Sequence, residues 1–108
     1  MKKAKTAKKV AEKQVAAKLL ANVPEEYVFF CTDGQIFNSM AGLGDALNSM
    51  SDETFGYHSN CDKRDFSNWL KEIVGDEELA RDLANAATRT DAAVIVNTRI
   101  EVLKAKLI

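Results

Sequence analysis

The spacing of apolar residues between positions 66 and 74 constrains the fold of this chain more than any other feature. These residues recur at i, i+3, i+4, i+7 and i+8, and they are Phe66, Trp69, Leu70, Ile73 and Val74. Because an α-helix has 3.6 residues per turn, this spacing places all five on one face. The pattern therefore predicts an amphipathic helix that buries Phe66 and Trp69 in the core.

Four other segments have apolar residues at helical spacing. Their predicted buried faces comprise Ala11, Val15 and Leu19; Met40, Leu43, Leu47 and Met50; Leu79, Ala80, Leu83 and Ala87; and Ala93, Val96, Ile100, Leu103 and Leu107. The residue types at the boundaries agree with helix ends. Ser51, Asp76 and Thr90 are predicted N-caps, Ser51 for a short turn that holds Phe55, and Gly75 ends the helix before Asp76.

A different pattern occurs between residues 27 and 37. Residues 27–31 are aromatic, β-branched or cysteine, Asp33-Gly34 follows, and residues 35–37 are Gln-Ile-Phe. Asp-Gly between two such runs predicts a β-hairpin, because both residue types tolerate positive φ. Since two strands are not stable alone, helices must cover one face. The predicted fold is α+β and mostly α, with a short β-hairpin packed on four or five helices and a Lys/Ala-rich N-terminal helical arm.

Length and composition indicate one small cytoplasmic domain. A chain of 108 residues is one domain by size. It has no run of about 18 apolar residues, so we expect no membrane partner. The start of the chain lacks the apolar region of a secretory signal, so we expect it to remain in the cytoplasm. Cys31 and Cys61 are expected to stay free thiols in that reducing compartment.

The charge is divided unevenly along the chain. Residues 1–23, here called the basic arm, contain seven lysines and one acid, a net charge of 7 − 1 = +6. Residues 24–108, here called the acidic body, contain eight basic and fifteen acidic residues, a net charge of 8 − 15 = −7. The arm has lysine without arginine, which predicts sequence-independent contact with a polyanion. The predicted contact residues are Lys2, Lys3, Lys5, Lys8, Lys9, Lys13 and Lys18.

Several motifs between Glu25 and about Leu83 occur in a set order. They are Phe29-Phe30 before Asp33-Gly34, then Phe55, His58 and Asn60, and finally Asp65-Phe66 with Trp69-Leu70. In this order they resemble a family of small archaeal and bacterial domains. That family has an aromatic strand with Asp-Gly, a Phe-x-x-His-x-Asn segment and an Asp-Phe-x-x-Trp helix. The family has no assigned activity, so the resemblance implies a fold and supplies no mechanism.

No residue pattern indicates catalysis. His58 has no nucleophile with an orienting acid near it in sequence, and we expect its ring to cap a helix or bond a backbone carbonyl. The spacing His58-x-x-Cys61, with Cys31 from the hairpin, leaves a metal site as an alternative, although zinc sites usually have two such pairs. We predict no catalytic residues, no cofactor and no small-molecule substrate.

These features lead to three functional hypotheses. The first is a non-catalytic accessory binding module, in which the acidic body docks a protein and residues 1–22 contact nucleic acid or a ribonucleoprotein. The second is a structural or oligomerising protein with no nucleic-acid partner. The third is a metal-binding protein centred on Cys31, His58 and Cys61.

Overall fold

Six α-helices account for most of the described chain. They are α1 (Lys2–Leu20), α2 (Met40–Ser49), α3 (Asp52–His58), α4 (Asp65–Trp69), α5 (Glu77–Ala84) and α6 (Arg89–Ala105). The computed structural model describes the backbone of residues 2–108 and the side chains of residues 11–108. Within that part, no helix combines the length and apolar character needed to cross a membrane. The mostly helical α+β fold with a hairpin is as predicted.

The hairpin has two short antiparallel strands. Its paired residues are Phe29 with Phe37 and Phe30 with Ile36, in β1 (Phe29–Phe30) and β2 (Ile36–Phe37). Successive side chains of a strand point to opposite faces, so one pair faces the helices and the other faces outward. Phe37 is buried, whereas Phe30 and Ile36 are exposed. The predicted hairpin is therefore confirmed, with one covered face.

Two backbone hydrogen bonds close the turn of the hairpin. The Cys31 N–H donates to the Gln35 carbonyl at 2.9 Å, and the Gly34 N–H donates to the Cys31 carbonyl at 3.0 Å. Gly34 has a φ of 93°, and it is the only turn residue in the left-handed region. Asp33 accepts the Gln35 N–H on Oδ1 at 2.9 Å, which lowers the pKa of its carboxyl group.

The middle helices have the predicted faces and boundaries. All four apolar residues assigned to α2, from Met40 to Met50, are buried. The Ser51 side chain accepts the Thr54 N–H at 3.1 Å and so caps α3, which buries Phe55. Helix α4 buries Phe66 and Trp69 and continues as a π-helical segment, Leu70–Val74.

Helix α5 follows directly on the π-helical segment. Gly75 ends that segment with a φ of 94°, as its position predicted. The side chain of Asp76 then accepts the Leu79 N–H at 3.0 Å and caps α5. The prediction that Ala87 lines this helix is wrong, since α5 ends at Ala84 and Ala87 is exposed.

Helix α6 begins two residues earlier than predicted. Thr88, not Thr90, is its N-cap, because the Thr88 hydroxyl accepts the Asp91 N–H at 3.1 Å. Its predicted buried face is confirmed from Ala93 to Leu103. Leu107 lies beyond the end of the helix at Ala105 and is 41% exposed, so its assignment to the core is wrong.

Helix α1 packs on α6 and α2 through a face that agrees with the prediction only at Leu19. Ala16 and Leu19 are its buried residues among those with described side chains, whereas Ala11 and Val15 are exposed. The predicted stripe through Ala11 and Val15 is therefore wrong. A Lys/Ala helix has small residues on every side, so the shape of the surface beneath it selects the buried face.

Helices α2 and α6 pack against each other in the core. Gly44 of α2 is buried there, and a Cβ atom at that position would lie 2.7 Å from Asn97 Oδ1 and 3.2 Å from Ile100 Cδ1. A larger residue would therefore require the side chains of Asn97 and Ile100 to move. Gly44 thus serves the packing of α2 on α6.

Candidate functional site

The lysines of the basic arm are the predicted contact residues, and the structure describes two of their side chains. Lys13 and Lys18 are exposed on α1. Among residues 11–108, neither forms an ion pair. The side chains of Lys2, Lys3, Lys5, Lys8 and Lys9 lie outside the described residues. The described part of the arm therefore presents positive charge to solvent.

The acidic residues of the acidic body that form ion pairs do so with basic residues of the acidic body. The pairs and their N–O distances are Asp76–Arg99 at 2.8 Å, Asp52–Arg89 at 3.1 Å, Asp65–Lys63 at 3.4 Å and Glu78–Arg99 at 3.6 Å. None of these pairs, which come from the described side chains, reaches α1. Within the described part of the chain, the positive charges of the basic arm thus form no ion pairs with the negative charges of the acidic body.

His58 is buried and joins three elements. Its Nε2 accepts the Thr32 N–H of the hairpin turn at 3.1 Å, and its Nδ1 lies 2.9 Å from Asp65 Oδ2 of α4. A nitrogen that accepts a backbone N–H carries no proton, so we assign the proton to Nδ1, which donates to Asp65. The partner is a backbone N–H from the hairpin, not the carbonyl that the sequence suggested.

This arrangement occupies both nitrogens of the imidazole. A general base needs a free lone pair within reach of a substrate proton, and the Nε2 lone pair is already engaged by Thr32. Asp65 orients the ring as the carboxylate of a catalytic triad would. However, His58 is only 4% exposed, so a substrate has little access to it. The geometry of His58 therefore suits a fastening between the hairpin and α3–α4.

The two cysteines lie in different environments. Cys31 is buried beside the hairpin turn, and Cys61 is exposed in the loop after α3. Among the described residues, no three histidine, cysteine or acidic side chains form a group that could hold a metal ion. The structure thus does not assemble Cys31, His58 and Cys61 into the alternative metal site.

We expect the two thiols to differ in their rate of alkylation. Burial raises the pKa of the Cys31 thiol above its ordinary value, and so reduces the fraction of reactive thiolate at a given pH. Iodoacetamide should modify Cys61 first. In a Cys61→Ser variant, Cys31 should stay slow until the pH exceeds the ordinary thiol range. Mass spectrometry of timed samples measures this, with guanidinium-unfolded protein as the fast reference. Equal rates in folded and unfolded protein would contradict the burial of Cys31.

The run of acids at the start of α5 has a structural role. Asp76 is 2% exposed, and its carboxylate receives the Leu79 N–H together with two bonds from Arg99, at 2.8 and 3.3 Å. These contacts satisfy both carboxylate oxygens. Asp76 therefore caps α5 and fastens it to α6, as expected for acids in a first helical turn.

A groove between α5 and α6 was missed by the sequence analysis. We call it the α5–α6 groove. It has a volume of about 570 Å³, and its main lining residues are Leu79, Ile95, Val102, Glu78, Asp82 and Arg99. A second depression of about 590 Å³ lies on the other side of α6 and shares Val94 and Thr98 with the groove. The signal in the sequence is the i, i+4, i+8 spacing of Val94, Thr98 and Val102, which defines a second stripe on α6.

The segment most specific for the family resemblance, residues 58–69, forms the end of α3, a short loop and α4. In the structure it holds His58, Phe66 and Trp69 in the core. Its geometry thus accounts for these residue types by packing, and the resemblance itself stays a prediction. Comparisons of the chain with protein-family models, with curated proteins and with solved structures found no match.

Proposed function

We propose that this protein is a non-catalytic accessory binding module. Its basic arm contacts the phosphate backbone of a nucleic acid or ribonucleoprotein, and its acidic body docks a protein. The single observation that carries the proposal is the separation of charge: +6 on residues 1–23 and −7 on residues 24–108. Among the described side chains, no ion pair cancels one against the other.

The attachment of α1 supports the proposal. Ala16 and Leu19 hold the end of the helix on α6 and α2, while Lys13 and Lys18 remain exposed. After the helix, the Val23 N–H donates to the Asn38 carbonyl at 2.7 Å, which ties the following segment to the end of the hairpin. In the part of α1 whose side chains are described, the two lysines therefore lie on a helix whose position on the body is fixed by Ala16 and Leu19.

The residue types of the arm determine the kind of contact. Lysine meets phosphate as a point charge and releases condensed counterions. The arm has no arginine to pair with a guanine edge and no aromatic residue to stack on a base. The proposed binding is therefore independent of sequence and strongly dependent on salt.

We expect replacement of the seven arm lysines by glutamine to abolish binding to a fluorescent duplex DNA or RNA. For the wild type, about six neutralised phosphates correspond to a slope of log K against log salt near −5. Replacing only Lys9, Lys13 and Lys18 should make that slope shallower by about 2–3. Fluorescence anisotropy across a salt series measures both quantities.

A matched control uses three exposed lysines of the body. The triple variant of Lys71, Lys104 and Lys106 to glutamine has the same charge change and should bind like the wild type. Substitution is preferable to deletion of residues 1–22, because deletion would also remove Ala16 and Leu19 from the core. Equal loss of binding in both triple variants, or none in either, would refute the arm as the contact surface.

A further inference from the structure

We propose that the α5–α6 groove receives helix α1 of a second copy of this chain, so that two copies form a symmetric dimer. The inference rests on the proposed docking role of the acidic body and names the docked protein. It follows from two exposed, partly apolar surfaces on the same chain whose charges are opposite in sign.

The first surface is the α5–α6 groove. Leu79 and Ile95 form its apolar interior and pack with the core, while Val94 and Val102 are 60% and 45% exposed along its α6 side. These two valines lie about two helical turns apart on one side of α6, with Thr98 between them, and form a mainly apolar ridge. A groove with such a ridge suits the apolar face of an amphipathic helix.

The charge around the groove is negative. Glu78 and Asp82 line it, and Glu101 lies on the other side of the α6 ridge. Arg99 is the basic residue of its lining, and its guanidinium is bonded to Asp76 and paired with Glu78 at 3.6 Å. Asp82 and Glu101 form no ion pair within the described residues. The groove therefore favours a helix that carries lysines beside its apolar face.

The second surface is a lateral face of α1. Ala11, Val15 and Lys18 are all exposed and lie at i, i+4 and i+7, on the side of the helix that adjoins its packed face, with Val15 one turn before Leu19. Val15 is 56% exposed. This face is apolar, ends in a lysine, and belongs to the segment with a net charge of +6. It has the chemistry that the groove requires.

Symmetry doubles this contact. Each copy supplies one α1 and one groove, so a two-fold axis generates two identical contacts in a closed dimer. Of the lysines with described side chains, Lys13 lies on another side of α1 from Ala11 and Val15 and remains outside the groove. Docking of a second copy is consequently compatible with phosphate contact.

Sedimentation equilibrium of the full chain over a range of concentrations tests the proposal. We expect a monomer–dimer equilibrium at low salt that shifts toward monomer as salt is raised, because screening weakens the charge pairs at the rim. Val15→Glu and Val94→Glu should each raise the dimer dissociation constant by at least about 10-fold, since each places a carboxylate in the apolar contact. A wild type that stays monomeric at its highest soluble concentration would overturn the proposal.

Two controls carry the same charge change at exposed sites outside the contact. Ala17→Glu lies on α1 away from the Ala11–Val15 side, and Ile36→Glu replaces a hairpin residue that is 61% exposed. Both should dimerise like the wild type. If the control variants weaken the dimer as much as Val15→Glu and Val94→Glu do, the effect comes from net charge alone. That result would overturn the proposed docking surface.

Mixing the Val15→Glu and Val94→Glu variants tests whether α1 of one copy contacts the α5–α6 groove of the other. The Val15→Glu chain keeps an intact groove and the Val94→Glu chain keeps an intact α1, so a mixture can form one intact contact per heterodimer. We expect the mixture to associate more tightly than either variant alone, and no gain on mixing would refute the pairing. DNA binding is scored separately: Val15→Glu retains all seven lysines, so loss of the dimer with retained binding leaves the nucleic-acid proposal standing.

Discussion

Replacing Asp76 by alanine is expected to lower the free energy of unfolding by about 3–5 kcal/mol, because it removes one partner of a buried ion pair. Asp76 is 2% exposed and receives bonds from Arg99 and from the Leu79 N–H. Alanine would leave the Arg99 guanidinium without its main partner and α5 without its cap. The cap alone accounts for about 0.5–2 kcal/mol of this loss.

Two further variants separate these contributions in urea unfolding monitored by circular dichroism. Asp76→Asn retains a good N-cap but lacks the charge, so its loss should lie between zero and that of alanine. The Glu78 side chain, the outer partner of Arg99, is 69% exposed. Glu78→Ala should therefore lower the free energy of unfolding by less than about 0.5 kcal/mol. A cost below about 1 kcal/mol for Asp76→Ala would show that the buried pair contributes little net stability.

Replacing Phe66 by alanine is the second change with a large expected effect, a loss of about 3–5 kcal/mol in the free energy of unfolding. Phe66 is 1% exposed and connects α4 to the hairpin and to α3. The centroid distances from its ring are 5.1 Å to Phe29, 5.2 Å to His58, 6.2 Å to Phe55 and 6.4 Å to Phe37. Truncation would leave a cavity at the point where all of these rings meet.

The chain offers a control of the same chemistry for this variant. Phe30 is 70% exposed on the outer face of the hairpin, so Phe30→Ala should change stability by less than about 0.5 kcal/mol. Both variants are measured by urea unfolding under identical conditions. Similar losses at the two positions would contradict the central place of Phe66 in the aromatic core.

The sequence predicted most of the fold wherever a helix carries large apolar residues on one side. Phe66, Trp69 and Leu70 define a single face without ambiguity, and the structure buries all three. Cap residues next to such faces, among them Ser51 and Asp76, were equally readable, because their side chains bond to N–H groups only three residues away.

The sequence-based prediction was wrong where two neighbouring residues or faces have similar chemistry. Thr88 and Thr90 are each followed three residues later by a backbone N–H, so their spacing does not distinguish them, and the structure uses Thr88, which accepts the Asp91 N–H. In α1, a face through Ala11 and Val15 and one through Ala16 and Leu19 are almost equally apolar. The choice between them depends on contacts with α6 and α2, which periodicity does not contain.

The candidate site was only partly accessible to sequence reasoning. The charge division was visible at once, since it depends on composition alone. The fastening of His58 was hidden, because its partner Thr32 lies 26 residues away and contributes only a backbone N–H. A backbone donor leaves no trace in residue identity, so neither the partner nor the occupied lone pair could be inferred.

The separation of buried and charged positions on α1 has an evolutionary consequence. In the part of the helix whose side chains are described, Ala16 and Leu19 lie in the core, whereas Lys13 and Lys18 are exposed. Selection for thermodynamic stability and selection on lysine number can then act on different codons. Under the proposed function, affinity for a polyanion would adapt by substitution at the exposed positions while the folded domain stays unchanged.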